Sequence, residues 1–223
     1  MKILSSCNLP SPPVLLSAVV GVLAIFATSP IAGAAERPNI VLMIADDCTY
    51  LDMEVYGGQA KTPNLNQLAK EGLTFNRCFQ TAPMCSPTRH NIYTGLYPVR
   101  SGAWPNHTQV YPGTKSIVHY LGDSGYRVAL SGKGHISPRE SFPFEYSNDF
   151  SKNEPETRPF FPNLKKFIAQ CRSSETPFCL VACSNEPHSP YTMGDASAYP
   201  PESLKLPPSW VDTPATRASY SKY

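Results

Sequence analysis

"NIVLMIADD", residues 39 to 47, decides the fold. Six apolar residues in a row end in two acids. An unbroken apolar run of this length, with no alternation of period two, predicts a strand covered on both faces, as in a parallel sheet. Asp46 and Asp47 then stand together beyond the carboxyl end of that strand.

Working outward, "TPNLNQLAKEG" (62–72) reads as a helix capped by Thr62, with Pro63 in the first turn and Gly72 as its stop. "LTFNRCF" (73–79) reads as a second short strand. In "PMCSPTRHNIYTG" (83–95), Pro87 suits a first helical turn, which puts Cys85 at the amino end of a helix. "TKSIVHYLGDSG" (114–125) is a capped helix and "YRVALSG" (126–132) the strand after it. "NLKKFIAQCRS" (163–173) is amphipathic, with Leu164, Phe167, Ile168 and Cys171 on one face. "PFCLVACS" (177–184) is another buried strand, and "DTPATRASYSKY" (212–223) a helix from Thr213 or Pro214. Strands alternating with helices predict an α/β domain with a mostly parallel central sheet flanked by helices.

In such sheets ligands bind beyond the carboxyl ends of the strands. Asp46 and Asp47 follow one strand, Lys133 and His135 a second, and His188 a third. The order along the chain therefore directs acids, a lysine and two histidines to one edge.

The totals bound the reading. The chain has 223 residues, 41% of them apolar, enough for a packed core. Its net charge of +2, with no basic block, gives nucleic acid no electrostatic footprint. The chain has 24 prolines, with a cluster after Pro187, where long irregular segments are expected. Residues 1–35 read as a signal peptide: Lys2, an apolar stretch Val14–Ala27, then small residues Ala32–Ala35. The stretch is shorter than the roughly 20 residues a membrane span needs. Cys7 precedes it, so it marks no lipid anchor. An exported chain is expected, with no stable membrane span once the signal is cleaved. Six cysteines follow, none at zinc-finger spacing, and Cys179 and Cys183 read as buried thiols.

Adjacent acids are a solvated turn in the bland reading. In the functional one they hold a hard cation, calcium or magnesium, which cancels their repulsion and polarises an anionic substrate. Cys85, near a helix amino terminus and four residues before Arg89, is either a small buried residue or an activated group. His90, His107 and His119 read as ordinary hydrogen-bonded residues, His107 being also a candidate for the wall of a substrate pocket. "NHT" (106–108) is a glycosylation sequon where the host uses one. Asp52, Glu54 and Tyr56 read as loop.

"CSPTRHNIYTG" matches the signature of the type I sulfatases, which the chain resembles through nearly all of residues 36–223. "RPNIVLMIADD", "TPNLNQLAKEGLTFNRCF", "GYRVALSGKGH" and "NEPHSPY" match further segments of that family, Glu186 standing where relatives often have Asp. "GKGHISPRESFPFEY" and "PPSWVDTPATRASY" resemble its heparan N-sulfatase branch. The resemblance implies the sulfatase fold of the alkaline phosphatase superfamily. It implies that a maturating enzyme, guided by Pro87 and Arg89, converts Cys85 to formylglycine. Calcium would sit on Asp46, Asp47 and the modified Cys85, with a second ligand pair beyond residue 223, so the domain is expected to be incomplete at its carboxyl end. A hydroxyl of the hydrated aldehyde would attack sulfur, with Arg89 and Lys133 offsetting charge on the sulfate oxygens. His188, with Lys133, would protonate the leaving atom, and His135 would take a proton from the second hydroxyl as sulfate departs. The implied substrates are sulfate esters or sulfamates on saccharides, including glucosamine N-sulfate. A phosphoester or phosphonate hydrolase of the same superfamily and an inactive truncated product are the alternatives. The sequence leaves the oligomeric state open.

Overall fold

A computed structural model describes residues 37–146 and 161–223; the expected signal peptide lies outside them. In chain order the elements are β1 (Ile40–Ile44), α1 (Pro63–Glu71), α2 (Cys85–Thr94), α3 (Pro98–Ser101), α4 (Ile117–Asp123), β2 (Arg127–Gly132), β3 (Glu145–Tyr146), α5 (Phe161–Ser173), β4 (Phe178–Cys183) and α6 (Pro214–Tyr220). The four strands form one sheet in the order β1-β4-β2-β3, every pair parallel. β4 lies between β1 and β2, with Val181 opposite both Leu42 and Leu130.

Side-chain alternation divides the core between the two faces of the sheet. Val128, Leu130, Cys179, Val181 and Cys183 face Tyr93 of α2, Val118 of α4, and Phe142 and Phe144. Ala129, Phe178 and Leu180 face Leu164, Phe167 and Cys171 of α5, as the apolar face of that helix predicts. All six described cysteines are free thiols, and Cys179 and Cys183 are buried as expected. Among the described residues no helix is long and apolar enough to cross a membrane.

Two sequence expectations fail, for related reasons. β1 is not covered on both faces. It is an edge strand, and while Leu42 and Ile44 pack on the core, Val41 and Met43 are 55% and 62% exposed. Residues 73–79 form no strand; Leu73, Phe75 and Phe79 stand in solvent, and no described strand offers them a partner. α4 also starts later than expected, capped by Ser116 rather than Thr114. β3, only two residues long, gave no apolar run to read.

Beyond the strands the ladder continues for a few bonds. Lys133 N–H donates to Cys183 O at 3.2 Å, Ser184 N–H to Ile44 O at 2.8 Å, and Asp46 N–H to Glu186 O at 3.2 Å. These bonds fasten the three loops at the carboxyl edge of the sheet to one another.

Candidate active site

The loops meet as the strand order predicts. Asp46, only 4% exposed, is the hinge of the arrangement. Arg89, 2% exposed, donates from Nη2 to Asp46 Oδ1 at 3.0 Å and from Nη1 to Lys133 O at 3.0 Å. Lys133 Nζ donates to the other carboxylate oxygen, Oδ2. Burial alone raises a carboxyl, but the bonds from Lys133 and Arg89 outweigh it and hold Asp46 below the usual carboxylate range. Arg89 Nε is buried with no hydrogen-bond partner among the described residues.

Cys85 is the first residue of α2, preceded by an extended Met84, and Gly95 closes the helix in a left-handed conformation. The buried side of α2 is polar: Ser86, Arg89 and His90 lie there with Tyr93. His90 bonds Ser86 O at 2.8 Å and accepts Ser137 N–H at 3.0 Å, tying α2 to the loop after β2. It is the hydrogen-bonded residue the sequence predicts. A cleft of about 160 Å³ is lined by Asp46, Asp47, Cys85 and Arg89 among others. Cys48 also lines it, but burial and the nearby Asp52 push that thiol up to about 11, so it stays protonated.

Of the remaining expected residues, His188 Nε2 lies 3.6 Å from Asp47 Oδ2. Lys133 reaches the cleft through Asp46. His135 connects by another route: its Nε2 is 2.8 Å from His107 Nδ1, and Asn106, next to His107, bonds both Ser86 N–H and Cys85 Sγ. Burial first, then the charges of His107, Lys133 and Arg89, lower His135 to about 4 against a partial pull from Asp46. Asp47, His107 and His135 all have left-handed backbones, with φ of 55°, 59° and 51°. Such conformations in non-glycine residues concentrate at functional sites.

Asp46, Asp47 and His188 can each place a ligand atom within 4.8 Å of the others. Two carboxylates and an imidazole suit a divalent cation. Cys85 is outside this trio, though it shares the cleft with both acids.

Three contributors carry more than the sequence reads into them. Asn106 was taken only as part of a sequon, yet its amide is used inside the site, where a glycan on Nδ2 would break its bond to His107. His107, read as a candidate for the wall of a substrate pocket, bonds both Asn106 and His135. Asp52, read as loop, closes a turn over Tyr50–Asp52 by accepting from Thr49, and it also accepts from Tyr223 at 2.7 Å, whose hydroxyl is 2.8 Å from Asp47 O. Only the proximity of Asn106 and His107 in a Pro-flanked loop hinted at the first two.

Comparison with known proteins gives this geometry a context. Residues 38–206 match the family model described as sulfatase. The chain is 32% identical over 158 residues to an ulvan-active sulfatase of Formosa agariphila, covering 70% of this chain and 32% of that protein. It is 39% identical over 116 residues to human steryl-sulfatase, covering 46% of this chain and 20% of that one. The chain thus spans about a third and a fifth of those relatives. Among solved structures it is similar to a protein in complex with its substrate D-glucosamine-2-N,6-O-disulfate, at a TM-score of 0.59 and 24% identity over 70% of this chain and 35% of that one. The phosphonate monoester hydrolase of Agrobacterium radiobacter superposes at 0.53, with 22% identity over 70% of this chain and 42% of that one. Both likenesses show the fold, the mostly parallel sheet with flanking helices. A family model matching more than half of the residues, with the Cys-x-Pro-x-Arg segment of this chain on α2, leads to one conclusion: the chain belongs to the sulfatase family.

Proposed function

We propose that the protein hydrolyses sulfate esters or sulfamates on sulfated saccharides, with glucosamine N-sulfate among the substrates. The observation that carries this reading is the meeting of Cys85, Arg89, Asp46 and Asp47 in one cleft, with Lys133 bonded to Asp46. The reading includes conversion of Cys85 to formylglycine by a maturating enzyme, a divalent cation, calcium by preference, on Asp46 and Asp47, and export directed by residues 1–35. When present, formylglycine supplies a hydrated aldehyde as nucleophile and the cation withdraws charge from sulfate oxygens.

The chain's own residues do the rest. Arg89 and Lys133 place two positive charges beside the cleft, where little water screens them, and offset the charge on the oxygens of an anionic sulfate group. Asp46 and the Lys133 carbonyl hold the Arg89 guanidinium in place. His135, lowered to about 4, enters neutral and holds a single proton at physiological pH. His188, half-buried beside Asp47, is the residue assigned here to protonate the leaving group.

The test begins with co-expression of the protein and a formylglycine-generating enzyme, followed by mass spectrometry of the peptide containing Cys85. Replacement of the thiol by an aldehyde is expected; an intact thiol under conditions that mature another sulfatase overturns the reading. Calcium should raise the melting temperature of the wild type, and chelation should reverse it. That shift should vanish in Asp46→Asn. Release of sulfate from glucosamine N-sulfate, compared with release of phosphate from a phosphate monoester, separates sulfatase from phosphatase chemistry.

A further inference from the structure

Asp46 is gripped by Arg89 and Lys133, whereas the carboxylate of its neighbour Asp47 is 57% exposed. The Asp47 backbone is nonetheless left-handed, with φ of 55°. That conformation is uncommon outside glycine, costs free energy, and persists where the surroundings hold it. The hold comes from Tyr223, which follows α6. Its hydroxyl lies 2.8 Å from Asp47 O and 2.7 Å from Asp52 Oδ2, so a single phenolic proton faces two acceptors. Asp52 is itself fixed, accepting the Thr49 N–H at 3.0 Å, the Thr49 hydroxyl at 2.9 Å and the Tyr220 hydroxyl at 3.3 Å. Segment 47–49 is thus tied at both ends to the pair Tyr223 and Asp52. The Tyr223 ring stacks on Tyr220 at 5.7 Å and meets Tyr191 edge-on at 5.5 Å. Tyr191 stands three residues after His188, so one side chain touches both loops that carry Asp46, Asp47 and His188.

We propose that Tyr223 is a positioning residue that holds Asp47 in its left-handed conformation and so readies the Asp47 carboxylate for a cation. The backbone angles of a residue set the directions of its carbonyl and its Cβ together. The conformation that turns the Asp47 carbonyl to Tyr223 therefore also brings Asp47 Oδ2 to 3.6 Å from His188 Nε2. Without the hydroxyl, residue 47 is free to relax to negative φ and swing its carboxylate away from Asp46 and His188. The cation rests on the function proposed above; the restraint on Asp47 stands on the Tyr223 contacts alone.

The restraint can be read without catalysis. The full chain is labelled with 13C,15N-aspartate, and the Asp47 signals are assigned by their loss in Asp47→Asn. Amide–Hα and one-bond Cα–Hα couplings then separate positive from negative φ. Wild type is expected to show positive φ at Asp47; negative φ there overturns the proposal outright. Tyr223→Phe keeps the ring contacts and deletes the hydroxyl, and Asp47 should then populate negative φ. Tyr220→Phe is the matched control, since it also removes a hydroxyl from Asp52 but none from Asp47; here Asp47 should stay as in wild type. Unchanged φ in Tyr223→Phe, or an equal change in both variants, overturns the proposal. Calorimetric titration with calcium should weaken about tenfold in Tyr223→Phe and not in Tyr220→Phe, and equal affinity in wild type and Tyr223→Phe removes the link to the cation. If wild type binds no calcium, the cation reading falls while the couplings still decide the restraint.

Discussion

At the scale of single residues, Asp46 shows how charge is managed at this site. Its two oxygens are each taken by a different cation, Arg89 from α2 and Lys133 from the end of β2. Removing one partner leaves a buried carboxylate short of a counter-charge, which costs far more than losing an exposed pair. Arg89→Ala is therefore expected to destabilise the protein by about 3 kcal/mol. Urea denaturation of wild type and variant measures it, and a change within 0.5 kcal/mol, the size of a plain surface substitution, would contradict the burial argument. His135 gives a pH dependence. Its folded value of about 4 lies below the ordinary 6.5, so between those values the unfolded chain takes up a proton that the folded one refuses. Stability should fall as pH drops from about 6.5 towards 4, with no contribution from this group above that window. Denaturation midpoints across that range should slope less in His135→Gln than in wild type.

At the scale of elements, loops and turns do the positioning. Gly58 lies against the turn that ends at Asp52; a Cβ there would come within 2.3 Å of the Asp52 backbone. Gly58→Ala must push that turn, and with it the Asp52 carboxylate that accepts from Thr49 and Tyr223. A loss of about 1–3 kcal/mol is expected, with weaker calcium binding, measured by denaturation and titration calorimetry. The regular elements were readable because each carries a local signal: Thr213 caps α6 by accepting Thr216 N–H, Pro63 opens α1, and α5 buries the face its spacing predicts. The meeting of Asp46, Asp47, Lys133 and His188 was readable too, because a parallel sheet delivers its strand ends to one side. The hydrogen-bond chain from Cys85 through Asn106 and His107 to His135 was not. It depends on two left-handed residues and on an amide orientation, neither of which leaves a periodic trace in the sequence. The strand expected at 73–79 failed for the opposite reason, since its local pattern was present and a neighbouring strand was not.

At the scale of the molecule, one flank of the sheet is bare among the described residues. Val41, Met43, Leu73, Phe75 and Phe79 are all exposed, and no described strand pairs with the outer edge of β1. An open edge beside apolar surface favours association. The 223-residue chain should therefore sediment with a concentration-dependent average mass, and Val41→Lys together with Phe79→Ser should lower it; a monomer at all concentrations in sedimentation velocity would contradict this. The left-handed backbones at Asp47, His107 and His135 have a different consequence for the molecule as a whole. A search for hardier variants would arrive at glycine in all three places, since glycine alone adopts that geometry without steric cost. Each such gain in heat tolerance would delete a carboxylate or an imidazole from the cleft or from the hydrogen-bond chain beside it. Evolution and protein engineering would thus pull these three positions in opposite directions.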